Sequence, residues 1–255
     1  MRVVLVGAGN TATVLGKLLT RSEHKVTRVI SRTPESAKTL ADLLETEYGN
    51  LNDSSFGDAD IYIVALHDQV MSNLERFTAL NGKFIVSTAG ALPIDSLKTC
   101  SDRYGVLYPL QTLSKYVDEV PRIPFMVDGN NDETLGALLS LAGSLSDSVV
   151  HANDNQRMGY HIAAVFAANF ANHMYALAEI YCQRESIDFK HILPLINEIC
   201  QKVNLYSPFL TQTGPAIRND VMTISRHLEN LSKYPDLKYM YVKMTESIMK
   251  LHGNR

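Results

Sequence analysis

No stretch of this chain approaches the roughly 18 consecutive apolar residues that a membrane-spanning helix requires. The first apolar run, Val3 to Val6, is far too short for the core of a signal peptide and leads straight into a glycine turn, so neither membrane insertion nor secretion is expected. Cysteine is scarce. Cys100, Cys182 and Cys200 are isolated and odd in number; they offer neither a disulfide framework nor a metal site and suit a reducing cytoplasm. The eight histidines include no pair spaced four apart, so no metal is expected. Neither sign of charge dominates: 24 basic and 27 acidic residues leave a net charge of −3, with no electrostatic reason to expect nucleic acid or a membrane surface as partner. Repeats, low-complexity tracts and flexible linkers are lacking as well. What remains is a globular composition, 45% hydrophobic over 255 residues, enough for one or two domains.

The chemistry that is present begins at the second residue. Arg2 to Val6 reads as a buried strand, and Gly7-Ala8-Gly9-Asn10-Thr11-Ala12 as a tight turn into a helix. Gly7 permits the turn, Gly9 lets the backbone approach a pyrophosphate, and Ala12 is small enough for the helix to pack near the strand. The exposed N–H groups of a helix beginning near Asn10 would then receive the phosphates, with Thr11 beside them. The other reading is a strand-to-helix turn with no ligand.

Alternation continues through the first half. Val26–Ser31, Ile61–Ala65 and Phe84–Ser87 read as strands, with shorter ones at Val106–Tyr108 and Phe125–Val127. Helices are expected at Thr11–Thr20 and from Pro34 onward, the latter with Thr33 as N-cap. This alternation implies a mostly parallel sheet built from strand–helix–strand crossovers. The second strand ends in Ser31-Arg32-Thr33, where a site for NAD usually carries Asp or Glu for the ribose hydroxyls. A guanidinium between two hydroxyls suits the 2′-phosphate of NADP instead; the alternative is a solvated Arg beside an ordinary cap. The missing acid also weighs against a methyltransferase. Leu66 and His67 follow the next strand, and Ser87-Thr88-Ala89-Gly90 ends another with small residues; both lie where ligands bind in such sheets, and the small Ser87, Ala89 and Gly90 would admit a nicotinamide ring. His67 can equally be a surface loop residue.

From about His151 the texture changes. Asp154 to Arg184 lacks proline and holds one glycine, Gly159, which predicts a single helix of about 30 residues, far longer than the mean. Helices follow at Phe189–Val203, Asp220–Leu231 and Leu237–Leu251, and a domain boundary is expected near residue 150. At ~100° per residue, Arg157, His161, Asn172 and Glu179 share a narrow arc of the long helix, with Asn169 about 80° from His161. His161 there is either a general acid in a cleft, with Asn169 or Asn172 holding a substrate oxygen, or a hydrogen-bonded His at an interface. Beyond the Thr213-Gly214-Pro215 turn, Arg218 could clamp a substrate carboxylate. Either Asn219 or Asp220 caps the next helix, and Asp220 could orient His227 or pair with Arg218.

Together, Gly7–Ala12, Ser31–Thr33, Ala59–Asp68 and Ser87–Gly90 resemble the pyrroline-5-carboxylate reductase and 6-phosphogluconate dehydrogenase-like superfamily. More closely, the whole chain is similar to bacterial proteins that join a Rossmann-like NADP-binding domain to a C-terminal helical domain of unknown function, number 2520. The residues carrying that likeness are Tyr108-Pro109-Leu110-Gln111-Thr112, Arg157-Met158-Gly159-Tyr160-His161, Asn169-Phe170 and Thr213–Asp220 with His227. Hydroxyacid dehydrogenases of the superfamily carry a catalytic Lys with Asn four residues later on the long helix; here those positions are His161 and Val165, so the usual Lys mechanism is not expected. The resemblance implies an α/β fold: a Rossmann-like, doubly wound, mostly parallel sheet over residues 1–150, followed by an all-α domain over residues 151–255. It also implies a homodimer formed through the helical domain. The expected activity is NADP(H)-dependent reduction of a small carboxylate-bearing keto or imine compound, with a non-catalytic NADP-binding sensor as the alternative. His161, Asn169, Arg218, Asp220 and His227 are the catalytic candidates.

Overall fold

The computed structural model describes residues 1–71, 73–116 and 119–253. The expected alternation is there: β1 (Arg2–Val6), α1 (Asn10–Arg21), β2 (Lys25–Ser31), α2 (Pro34–Leu43), β3 (Glu47–Asn50), β4 (Ile61–Val64), the single turn α3 (Asp68–Met71), β5 (Ile85–Ser87), β6 (Tyr104–Pro109), β7 (Phe125–Gly129), α4 (Asp132–Leu145) and β8 (Val149–His151). The eight strands form one sheet in the order β3-β2-β1-β4-β5-β6-β7-β8, parallel except for the β6–β7 pair. The chain winds outward from β1 to β3, then returns to β4 on the other side of β1. The carboxyl ends of β1 and β4 therefore flank the point where the winding reverses, which is where such sheets hold ligands.

Alternation along β1 shows how the sheet is covered. Val3 and Leu5 join one core with Leu15, Leu19, Leu40 and Leu141, from α1, α2 and α4. Val4 and Val6 face the opposite way into a second core with Ile30, Leu51, Phe56, Leu74 and Phe77. Both faces are buried, so the central strands read as continuous apolar runs and were legible as such. Two edge strands were not: β3 is the polar Glu47-Tyr48-Gly49-Asn50, and β8 has only three residues. Helix α4 also escapes the sequence reading, since Gly136 and Gly143 weaken its helical signal. At α2, Thr33 does occupy the N-cap position with Pro34 behind it, but its side chain makes no capping bond.

The long helix is present in modified form. α5 (Asp154–Ala164) opens with a capping box, Asn153 accepting from the Gln156 backbone while the Gln156 side chain accepts from the Asn153 N–H. A π-helical stretch, Val165–Phe170, follows without a break, and then α6 (Ala171–Arg184). α7 (Leu193–Leu205), α8 (Val221–Asn230) and α9 (Pro235–His252) complete the helical half. Asp220, not Asn219, caps α8, accepting from Thr223 N–H at 3.1 Å.

By compactness the chain divides into Met1–Asn169 and Phe170–Arg255. The change in sequence texture near residue 150 marks where helix begins. The compact unit runs further because α5 is tied to the sheet. Arg157 is completely buried. Its guanidinium donates to Asp128 at the end of β7 (2.9 Å), to the Ala152 carbonyl (3.0 Å), to the Leu92 carbonyl (3.3 Å) and to Asp154. Asp154 also accepts from Ile94 N–H at 3.0 Å. Removing the guanidinium would leave the 13%-exposed Asp128 carboxylate without its main counter-charge. Arg157→Met is expected to lower unfolding free energy by about 3 kcal/mol, the low end for a buried pair because Asp154 is partly solvated. Urea unfolding of the variant checks this.

Candidate functional site

A cleft of about 630 Å³ opens at the carboxyl ends of β1, β2 and β4, entirely within the sheet-bearing unit. Its floor is the turn after β1. Gly7 has φ of +127°, and a Cβ there would run into the Ala65 carbonyl, so no other residue fits without strain. Gly9 has open space where a Cβ would be. It occupies the N-cap of α1, whose first turn carries no capping side chain and no acidic residue. The first N–H groups of α1 have no intrahelical partner, which leaves a helix terminus open to an anion. Asn10 and Thr11 line the cleft, while fully buried Ala12 packs in the core behind it. The Asn10 carboxamide oxygen accepts from the Lys115 N–H at 3.2 Å and so holds the loop after β6 at the rim.

Ser31, Arg32 and Thr33 form one end of the cleft, and Leu66, His67, Ala89 and Gly90 line it further along. Ser87 lies behind this wall. It is nearly fully buried, and its hydroxyl accepts from Ala89 N–H at 3.0 Å, which shapes the loop that presents Ala89 and Gly90. The cleft also takes in side chains the sequence reading had not assigned to it: Ser36, Arg76, Tyr108 and Lys115. None of the described residues lining it is Asp or Glu, whereas Arg32, Arg76 and Lys115 bring three fixed positive charges. Such a lining favours a multiply anionic ligand.

Of the five catalytic candidates, His161 alone lines this cleft. Its Nδ1 lies 3.0 Å from the Tyr108 hydroxyl, with the rings tilted by 59°. Tyr108 is the last tyrosine of β6, at the strand's carboxyl end, and its ring lies over Gly90, where a Cβ would sit 2.6 Å from the ring. Burial pushes the Tyr108 hydroxyl above its ordinary value, so it keeps its proton. Its placement at a strand's carboxyl end was the signal available in the sequence.

The polar arc of the long helix does not survive as one face. Arg157 is buried and His161 half-buried, whereas Asn169, Asn172 and Glu179 are exposed. A π-helical stretch closes its hydrogen bonds from i to i+5, so it advances fewer degrees per residue than the ~100° assumed, and the phase is lost beyond Ala164. In the helical unit, Arg218 is exposed and follows the Gly214 turn. Asp220 accepts from the Thr223 N–H and hydroxyl, which hold its carboxyl below the usual range. It does not orient His227, whose Nδ1 instead lies 2.8 Å from the Tyr241 hydroxyl. Among the described residues no group of three or more His, Cys, Asp or Glu is arranged to hold a metal, and no helix is long and apolar enough to cross a membrane.

Comparison with known proteins adds to this geometry. Residues 2–90 match the family model described as NADP oxidoreductase coenzyme F420-dependent, and residues 123–248 match the domain of unknown function 2520. A crystal structure from Bacteroides fragilis, assigned as an NADP oxidoreductase, is 39% identical, with 98% of each chain covered and a TM-score of 0.91. The chain belongs to this NADP oxidoreductase family. More distant structures share the fold. Pyrroline-5-carboxylate reductase from Streptococcus pyogenes is 16% identical over 98% of each chain (TM-score 0.63). A reductive aminase from Aspergillus terreus, in complex with NADPH and ethyl-5-oxohexanoate, is 15% identical over 98% of this chain and 93% of that one (TM-score 0.68). No curated protein matches the chain. The residues present fit an NADP cofactor: an uncapped helix terminus for the pyrophosphate and a guanidinium where NAD sites carry an acid. Gly7→Ala is expected to abolish the thermal stabilisation that NADPH gives the wild-type protein. A melt recorded with and without NADPH checks it, and an undiminished shift would show that the turn does not hold the cofactor.

Proposed function

We propose that this family member is an NADPH-dependent reductase of a small, carboxylate-bearing compound with a C=N or C=O bond, and that His161 delivers the proton. The observation that carries this reading is the Tyr108–His161 hydrogen bond at the cleft wall, beside Gly90. When bound, NADPH would supply the hydride for the carbon of the reducible bond. The nitrogen or oxygen of that bond then needs a proton. A protonated His161 donates through Nδ1 to the Tyr108 oxygen and has its Nε2 proton to give. The Tyr108 hydroxyl both accepts and donates, so it follows the imidazole through both charge states without moving. The loop bearing Ala89 and Gly90 carries only small residues on the cleft wall, which would leave room there for the ring of the cofactor. Lys115 and the absence of acids among the described lining residues favour a substrate carboxylate. The pyrroline-5-carboxylate reductase is consistent with a carboxylate-bearing substrate, and the reductive aminase, bound to the keto ester ethyl-5-oxohexanoate, with a reducible C=O or C=N bond. Exposed Arg218 would serve as a carboxylate clamp only if assembly brings it to a cleft.

The helical unit supports a homodimer. Among its described residues only Cys182, Ala216, Leu237 and His252 are buried in the single chain, while Phe170, Leu195, Leu205, Leu210, Met222 and Leu251 are each more than half exposed. Helices with so little core of their own need another surface to cover them. None of the three cysteines is paired, which agrees with a cytoplasmic protein.

A screen of keto acids and cyclic imines, followed by loss of NADPH absorbance, tests the activity. His161→Ala is expected to lower turnover by about 10²–10⁴, and Tyr108→Phe to lower it less, both with NADPH affinity unchanged. Because burial keeps Tyr108 protonated, the rate profile should show no tyrosine limb below about pH 10. Tight NADPH binding with no turnover across the screen would favour a cofactor sensor, the reading that the missing helix Lys supports. Sedimentation at micromolar concentration should give a dimer, and Leu205→Glu with Met222→Glu should give a monomer.

A further inference from the structure

The cleft carries a second guanidinium at its adenosine end that the Ser31-Arg32-Thr33 motif does not explain. Arg76 comes from the segment after α3, distant in sequence from β2, yet it lines the same cleft as Ser31, Arg32, Thr33 and Ser36. Its position along the cleft is set by two observations. Arg76 also forms, with Phe77 and Thr78, one wall of a polar recess whose other wall is Leu51 to Ser54. That opposite wall is pinned to the end of β2, since Leu51 N–H donates to the Ser31 carbonyl at 3.2 Å and the Asn50 carboxamide to the Arg32 carbonyl at 3.4 Å. Arg76 therefore sits across from the Ser31–Thr33 segment, at the end remote from Tyr108 and His161.

The guanidinium is held but not neutralised. It lies 4.6 Å from the centroid of the Phe77 ring, and Phe77 is itself anchored in the core beneath. Among the described residues no carboxylate is within ion-pair distance of Arg76. The nearby Asp53 accepts from Asn50 N–H at 2.9 Å and pairs with Arg28 at 3.7 Å. An exposed, aromatic-backed guanidinium that lines the same hydroxyl-bearing cleft as a second one is suited to a phosphate dianion, which offers oxygens to both.

We infer that Arg76 is a second determinant of cofactor choice, closing on the 2′-phosphate of NADPH from the side opposite Arg32. The inference rests on the reading that Arg32 faces that phosphate, and it adds a residue from a separate element. It also accounts for the recess beside Arg76, which leaves room for the adenine next to the phosphate.

Binding measurements need no substrate. Dissociation constants for NADPH, NADH, 2′-AMP and 5′-AMP are measured by calorimetry on the wild-type protein, Arg76→Ala, Arg76→Lys, Arg32→Ala and the double variant. Arg76→Ala should weaken NADPH and 2′-AMP by about ten- to a hundredfold, the range for a hydrogen bond to a charged group, with NADH and 5′-AMP changed less than about threefold on the same scale. Arg76→Lys should recover part of the loss. Equal weakening of NADPH and NADH, or no weakening of either, would overturn the assignment of Arg76. Selectivity that survives Arg32→Ala but falls with Arg76→Ala would reject the role of Arg32 and leave that of Arg76 standing. Arg76 is exposed, so loss of fold is not expected, and circular dichroism of each variant verifies it.

Discussion

A guanidinium with no exposed surface has to find its hydrogen-bond partners inside the protein, and Arg157 finds them on three separate pieces of chain: the end of β7, the loop after β5 and the start of its own helix. Together these partners tie α5 to the end of the sheet. The cost of an unpaired buried charge is several kcal/mol, so the alternatives are closed off. One turn further along α5, His161 meets Tyr108. The same network holds the Leu92 and Ile94 backbone, a few residues beyond Gly90, whose missing side chain makes room for the Tyr108 ring. The Tyr108–His161 pair thus depends on an ion cluster around the buried Arg157 that touches neither ring.

The cleft divides by charge and by backbone. At one end are guanidiniums and hydroxyls, in the middle a helix terminus with free N–H groups, and at the other end small residues and the Tyr108–His161 pair. With Lys115 as a third cation and no acid among the described lining residues, the cleft suits an anionic dinucleotide.

Features that depend on a few consecutive residues were legible. Gly7 announces a turn because only glycine tolerates the close approach to Ala65, and Ser31-Arg32-Thr33 shows the absence of an acid directly. Central strands were readable because burial on both faces leaves uninterrupted apolar runs. Features that depend on register over many residues were harder. The π-helical stretch shifts the phase of the long helix, so Asn172 and Glu179 lose the common arc with His161 that regular helical spacing gave them. Arg76, Lys115 and Tyr108 reach the cleft from three segments with no local motif, and only the winding of the sheet makes them neighbours. His227 has a tyrosine partner from α9, which no spacing within α8 could reveal.

The sequence by itself determined the class of fold, the glycine turn after β1 and the missing acid after β2, since each is a matter of local backbone freedom or local charge. Tertiary structure decided which side chains line the cleft beside that turn, where the compact unit ends, and which candidate histidine lines the cleft. The physical reason is range: a turn closes over a few residues, whereas the site is assembled from strand ends and one helix that are fixed relative to each other by buried hydrogen bonds.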